Sequence, residues 1–142
     1  MSNPDLARPS YSAAALFGRF LMGGIFLWSG ADKLLAPAAT VAGFAKLGLP
    51  VPPMAFAVAV LVELGIGLAF CAGLFSRSAA LVLAFWSIAT ALVAHTNFAD
   101  RNMMVHFFKN VSMCGGFISA ALLGPGVFRI DALMRPSWTR SL

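Results

Sequence analysis

Charged side chains are scarce in this chain. Ten lysines and arginines and five aspartates and glutamates make up 11% of its 142 residues, whereas a soluble domain carries roughly 25% charged residues. Hydrophobic residues account for 60% of the chain. This shortage of charge excludes an ordinary soluble domain and predicts that the solvent around most of the protein is lipid.

The gaps between the charges locate the membrane spans. Residues 78–99 and 110–128 contain no charge, residues 51–76 contain only Glu63, and residues 13–31 contain only Arg19. Each gap is close to the ~20 residues that a helix needs to cross the hydrocarbon core. We therefore predict an all-α integral membrane four-helix bundle over residues 13–124. Its spans cover about 13–35, 53–74, 77–96 and 104–124, and its tails are residues 1–12 and 125–142.

The arginines are distributed unevenly between the two sides of this bundle. One side of the four-span arrangement holds Arg8, Arg77, Arg129, Arg135 and Arg140. The positive-inside rule then places both termini in the cytoplasm, in a multi-pass protein of a bacterial cytoplasmic (inner) membrane. A charge set that orients spans in a bilayer predicts lipid, and no nucleic acid, as the partner of these arginines.

The connections carry two further helix signals. The outer connection between the first two spans is punctuated by prolines, and it predicts a short surface helix at about 38–47. Residues 127–138 alternate apolar side chains with arginines and predict a cytoplasmic interfacial helix.

The chain also lacks the usual sequence signs of a redox centre. Its two cysteines, Cys71 and Cys114, form no CxxC motif, its two histidines have no third metal ligand at a recognisable spacing, and there is no nucleotide-binding fingerprint. We predict no metal site and no covalently bound cofactor. Any electron transfer would then need a protein partner that carries the redox centre.

Ionisable residues inside the spans indicate a functional site. Each costs about 2.5–3.5 kcal/mol on membrane-insertion scales, so each is expected to serve a purpose and to have a partner. On the first span, Arg19 and Lys33 lie on one helix face with Gly23, Phe26 and Gly30, because the spacing alternates between four and three.

The other ionisable residues are expected in the outer half of the bundle. Glu63 lies near the membrane midplane, and His95, His106 and Lys109 lie closer to the outer surface. These positions predict a polar pocket in which Glu63, His106 and Lys109 are catalytic and handle the protons of a quinone or small reductant. The residues expected to bind this substrate are Ser29, Lys33, Asn110, Arg19, His95 and Trp28.

The same residues allow a purely structural interpretation. Glu63 and one basic residue would form a buried ion pair that fixes the register of the helices. Helix rise allows either Lys109 or Arg19 as the partner of Glu63, and the sequence does not choose between them.

Four motifs resemble the DoxX family. They are "LWSGADKLLAP" in the first span, "LGLP" in the outer connection, "ELGIGLAFCAGLFSRSAAL" across spans two and three, and "HFFKNVSMCGG" in the fourth span. The resemblance runs from about residue 18 to residue 123. The residues that match the motifs are Ser29, Lys33, Pro37, Glu63, Arg77, His106, Lys109 and Asn110.

The resemblance implies a small four-helix protein of the cytoplasmic membrane and, as for some members of the family, a role beside quinones. Some family members are small subunits of thiosulfate:quinone oxidoreductase or terminal quinol oxidase assemblies. We expect a quinone-linked oxidoreductase subunit that is not a complete enzyme alone and acts with a redox partner or as a homo-oligomer. The alternatives are a non-catalytic membrane anchor or assembly subunit, and a small-molecule transporter that uses Glu63 as a proton-coupled site.

Overall fold

A computed structural model of the protein describes residues 9–131. All regular structure in this range is helical, as predicted. The elements are α1 Pro9–Leu35, α2 Pro37–Lys46, α3 Pro52–Val60, a π-helical segment Leu61–Ile66, α4 Gly67–Ala72, α5 Ser76–Ala94 and α6 Arg101–Leu123. The predicted interfacial helix at 127–138 falls mainly outside the described residues.

Local chemistry explains where the helices begin. Pro37 and Pro52 open α2 and α3, and the described part of α1 already includes Pro9, four residues before the predicted start. Proline suits a first helical turn because its missing N–H would have no intrahelical partner there. At α6 the Asp100 side chain accepts a 2.8 Å hydrogen bond from the Asn102 backbone N–H and caps the helix. The surface helix predicted at 38–47 is α2.

Within residues 9–131, three segments are long and apolar enough to cross a membrane. They are α1, the continuous segment Pro52–Ala72 formed by α3, the π segment and α4, and α5. The fourth long helix, α6, has 23 residues but carries His106, Lys109 and Asn110 in its first half. The four-span count and the cytoplasmic position of the termini therefore stay predictions.

The core lies at the centre of the bundle and is built from aromatic and small side chains. The Phe117 ring meets Phe26 edge-to-face at a centroid distance of 5.5 Å and Phe70 at 5.2 Å. Buried alanines and Leu83 of α5 fill the space beside them. The three phenylalanines come from α1, α4 and α6, so this cluster joins the long helices through contacts far apart in sequence.

Large apolar side chains cover the outside of the bundle. Phe17, Leu21, Phe85 and Leu122 are each more than 60% exposed. Exposed apolar surface on this scale is unfavourable in water and suits the hydrocarbon of a bilayer. The structure and the composition thus agree that lipid surrounds the bundle.

Glycines allow α1 to pack closely against the second span. A Cβ atom on Gly30 would lie 2.8 Å from Leu64 Cγ and 3.1 Å from Glu63 Cβ, and a Cβ atom on Gly23 would clash with Cys71 Sγ. Small residues of this kind permit close helix approach where lipid supplies no hydrophobic driving force. Four of the five residues of the predicted stripe, Arg19, Gly23, Phe26 and Gly30, are buried, and the fifth, Lys33, is partly exposed.

Candidate functional site

A cavity of about 660 Å³ lies among α1, α3, the π segment, α5 and α6. We call it the Glu63 cavity. Its volume falls within the range of about 300–1,000 Å³ that is typical of small-molecule sites. Its polar wall comprises Ser29, Lys33, Glu63, Thr90, His95, His106, Lys109 and Asn110, and apolar side chains form most of the remaining lining.

An ion pair forms one side of this cavity. Lys33 Nζ lies 2.8 Å from Glu63 Oε2, and the Glu63 side chain is 5% exposed. The same ammonium donates a 2.7 Å hydrogen bond to Ser29 Oγ, one turn earlier on α1. The second carboxylate oxygen of Glu63 accepts a 3.3 Å hydrogen bond from Trp86 Nε1 of α5. Glu63 therefore connects three helices, and both of its oxygens have a partner.

Glu63 belongs to the π-helical segment of the second span. This segment, Leu61–Ile66, is a local widening between α3 and α4. Single π turns inside α-helices often occur at functional sites, because the extra residue redirects the side chains around it. The close approach at Gly30 brings α1 against this segment, which sets the distance between Lys33 and Glu63.

The lining of the cavity also includes the two histidines. The His95 and His106 rings stack with a centroid distance of 5.2 Å and an interplanar angle of 28°. Lys109 Nζ lies 3.0 Å from His106 Nδ1. An ammonium group can only donate, so Nδ1 of His106 accepts, and in the neutral ring the proton resides on Nε2. Buried Asn110 holds this turn by donating from Nδ2 to the His106 carbonyl at 3.0 Å.

His95 lies one residue beyond the end of α5. Burial lowers the pKa of its imidazole below the usual value, and His106 and Lys109 lower it further. Burial disfavours the charged form of the His95 ring, and positive charge on the two neighbouring basic groups disfavours it further. His95 is therefore neutral at pH 7.

The entrance of the cavity combines aromatic and cationic groups. Trp28 is 73% exposed, Lys109 is also exposed, and both line the cavity. They belong to α1 and α6, which pack far less on each other than α1 packs on the second span. The cavity is therefore open to the surroundings of the bundle where the exposed Trp28 and Lys109 line it.

The structure brings eight of the nine predicted site residues to this cavity. Arg19 is the exception, because it lies near the opposite end of α1 in a separate cavity. The two partners predicted for Glu63 were wrong: Lys33, four residues from Ser29 on the same helix face, forms the ion pair. The sequence predicts Lys33 as a substrate-binding residue and does not identify it as the partner of Glu63.

Sequence reasoning missed Trp86 and Thr90. Trp86 lies ten residues into α5, or about 15 Å at 1.5 Å per residue. Tryptophan in membrane proteins is enriched at the interfaces. A tryptophan in the middle of an uncharged span is unusual. The position of Trp86 therefore indicates that its indole N–H has a buried hydrogen-bond partner.

Comparison with known proteins settles the family. The DoxX family model matches residues 14–96. The chain belongs to the DoxX family. The match contains Lys33, Glu63 and Trp86, while α6 with His106 and Lys109 lies beyond it.

Two inner membrane proteins of Escherichia coli are similar to this DoxX-family chain along most of their length. YqjF is 35% identical over 123 residues, which cover 87% of this chain and 93% of YqjF. YphA is 33% identical over 121 residues, 82% of this chain and 86% of YphA. No solved structure matches significantly. The protein is accordingly a multi-pass protein of the bacterial inner membrane.

Proposed function

We propose that this DoxX-family protein is the membrane subunit of a quinone-linked oxidoreductase and that the Glu63 cavity binds the quinone ring. The observation that carries the proposal is one cavity of about 660 Å³ whose mostly apolar lining includes two polar groups, the Lys33–Glu63 pair and the His106–Lys109 pair. A quinone needs this combination, because its flat ring is apolar and its two carbonyl oxygens accept hydrogen bonds. An opening beside the exposed Trp28 and Lys109 suits a ligand that arrives from the lipid.

The two polar walls suit proton exchange with such a ring. Reduction of a quinone consumes two electrons, which the redox centre of a protein partner would supply, and two protons. His106 offers its Nε2–H to a carbonyl oxygen, while Lys109 holds Nδ1 as the acceptor. Glu63 retains a free lone pair on each oxygen beside Lys33 and Trp86, and can accept a hydrogen bond from a hydroquinone hydroxyl.

Quinone binding can be measured on the chain alone. Decylubiquinone should quench the fluorescence of Trp28 and Trp86 saturably in detergent micelles, and Trp28→Phe should remove part of the quench. Lys109→Met and His106→Phe should each weaken binding about tenfold, since a hydrogen bond that involves a charged group contributes about 1.5 kcal/mol or more. Lys46→Met is the matched control because Lys46 is exposed on α2 and does not line the cavity.

Turnover provides the second measurement. In a preparation assembled with its redox partner, Glu63→Gln and Lys109→Met should each abolish quinone-dependent turnover while the subunits remain assembled. Linear, non-saturating quench that the variants do not change would contradict the proposal.

One observation favours a second candidate, a non-catalytic anchor or assembly subunit. Both oxygens of Glu63 are already hydrogen-bonded within the bundle, as expected of an ion pair that fixes helix register. In that case Glu63→Gln would weaken assembly with the partner and leave the turnover of each assembled complex unchanged. Proton-dependent uptake by proteoliposomes that contain this chain alone would instead support the transporter alternative.

A further inference from the structure

A second cavity, of about 290 Å³, lies near the opposite end of α1 between α1, α6 and the start of α5. We call it the Arg19 cavity. Its polar lining comes from Tyr11, Arg19, Ser76 and Ser119, and the remaining lining is mostly apolar. The proposed quinone site makes no use of these residues, so a ligand bound in the Arg19 cavity would be independent of quinone binding.

Arg19 is buried without a full set of partners. The residue is 3% exposed. One terminal nitrogen, Nη2, donates to the carbonyl of Phe128. The other two nitrogens of the guanidinium, Nε and Nη1, have no hydrogen-bond partner within residues 9–131. Ser76 Oγ has none there either. Buried donors are normally paired, because leaving one unsatisfied costs about 1–3 kcal/mol and more when the group is charged.

Positive charge is concentrated around this cavity. Arg77 approaches Gly124 in the cavity wall, and the Arg129 backbone lies against Gly73 beside the Arg19 guanidinium. In the described part of the chain no carboxylate lies within 4.0 Å of these arginines, since the one ion pair there is Lys33–Glu63. Asp131 instead accepts hydrogen bonds from the Phe75 backbone N–H at 3.0 and 3.1 Å.

The beginning of α5 adds a positive electrostatic potential that favours an anion. This 19-residue helix starts at Ser76, so its first backbone N–H groups and the positive end of its dipole lie beside the cavity. A buried guanidinium, an unpaired hydroxyl and a helix N-terminus therefore converge on one small space. Asp131 already binds the Phe75 N–H just before this helix, but among residues 9–131 neither Arg19 Nε nor Ser76 Oγ has a hydrogen-bond partner.

We propose that the Arg19 cavity binds an anionic oxygen group, a phosphate or a carboxylate. Such a group would accept a charge-assisted hydrogen bond from Arg19 Nε and a further one from Ser76 Oγ, while Nη1 lies against Gly73 and Nη2 donates to the Phe128 carbonyl. The apolar lining from Met22, Phe70 and Leu123 suits an anion attached to an apolar body. The anion can come from the headgroup of an anionic phospholipid or from a free small anion, and the experiment separates these two sources.

The test uses the full chain in detergent and native mass spectrometry with phosphatidylglycerol, phosphatidylcholine and inorganic phosphate as probes. We expect a one-to-one adduct with phosphatidylglycerol at a concentration about tenfold or more below that needed for phosphatidylcholine. Arg19→Gln should weaken this binding about tenfold or more. If millimolar phosphate displaces the lipid and raises the melting temperature of the protein as much as the lipid does, the site takes a free anion. If phosphate does neither, the site takes a lipid headgroup.

A second variant keeps the test decisive should Arg19→Gln fail to fold. Gly18 lines the cavity, and a Cβ atom there meets nothing within 4 Å, so Gly18→Leu fills the space while Arg19 remains. Gly24→Leu is the matched control, because Gly24 has equal room on the same helix and lines neither cavity. The proposal is overturned if Gly18→Leu binds phosphatidylglycerol as tightly as Gly24→Leu. Equal affinity for the two lipids without any effect of phosphate would overturn it as well.

Discussion

Lys33 and Glu63 neutralise each other's charge, so neither is buried as an unpaired ion in the bundle. A buried carboxylate without a cation is strongly unfavourable, and so is an ammonium below the membrane surface. Their 2.8 Å contact satisfies both groups, and Ser29 and Trp86 complete the hydrogen bonding. Removing one partner should therefore cost more than removing both.

We predict that Lys33→Met destabilises the protein by about 3 kcal/mol, since it leaves the Glu63 carboxylate buried and unpaired. The double variant Lys33→Met, Glu63→Gln should recover at least half of that loss. Reversible unfolding in mixed micelles measures both values, and Lys46→Met on exposed α2 is the control. A Lys33→Met variant as stable as Lys46→Met would show that the ion pair contributes nothing to stability.

His95 should make stability depend on pH. Its pKa is lowered in the folded protein by burial and by His106 and Lys109, while an unfolded histidine titrates near 6.5. Below pH 6.5 the unfolded chain gains a proton that the folded chain does not yet bind, so stability should fall as the pH decreases from about 7 to 5. Melting temperatures across pH 5–8 measure this effect. The slope should shrink in His95→Gln, and an unchanged slope would assign the effect to another group.

At the scale of elements, the approach of α1 to the π segment determines the site. Glycine at position 30 is required there because the Leu64 side chain and Glu63 Cβ leave no room for a methyl group. Gly24 lies nearly two turns earlier on the same helix and has open space around it. The two glycines differ in packing but share helix and residue type, which makes them a matched pair.

We predict that Gly30→Ala destabilises the protein by about 1–2 kcal/mol, because overpacking forces α1 and the π segment apart. The same change at Gly24 should be neutral or slightly stabilising, since alanine favours the helix. Melting temperatures of the two variants provide the comparison. Quinone binding by Gly30→Ala should also weaken, because Lys33 moves away from Glu63. Equal stability of both variants would mean that Leu64 rotates aside at no cost.

The sequence predicted the helices and the buried stripe of α1 because both depend on local patterns. Charge gaps locate spans, and a spacing of three and four places Arg19, Gly23, Phe26 and Gly30 on one buried face. The partner of Glu63 was predicted wrongly because pairing depends on how helices rotate against each other and on the π segment. Residue spacing predicts neither the rotation of the helices nor the π segment. Depth in the membrane alone left several cationic side chains as possible partners of Glu63.

At the scale of the whole molecule, two cavities occupy opposite ends of one bundle. The Phe26, Phe70 and Phe117 cluster lies between them and joins α1, α4 and α6. The Glu63 cavity contains the Lys33–Glu63 ion pair, neutral His95 and Lys109, whereas Arg19 lines the other cavity and Arg77 and Arg129 lie beside it. This asymmetry matches the charge bias that predicts which end faces the cytoplasm.

The charge bias and the fourth span make one joint prediction about topology. Asn97 precedes α6 and Val127 follows it, and both are exposed. In a variant without Cys71 and Cys114, a membrane-impermeant maleimide should label Asn97→Cys in intact spheroplasts and label Val127→Cys only after lysis. Arg77→Cys at the start of α5 should behave like Val127→Cys, because both lie at the arginine-rich end. If α6 does not cross the membrane, Asn97→Cys and Val127→Cys will be labelled from the same side. Reversed labelling of all three would keep the four spans and invert the orientation.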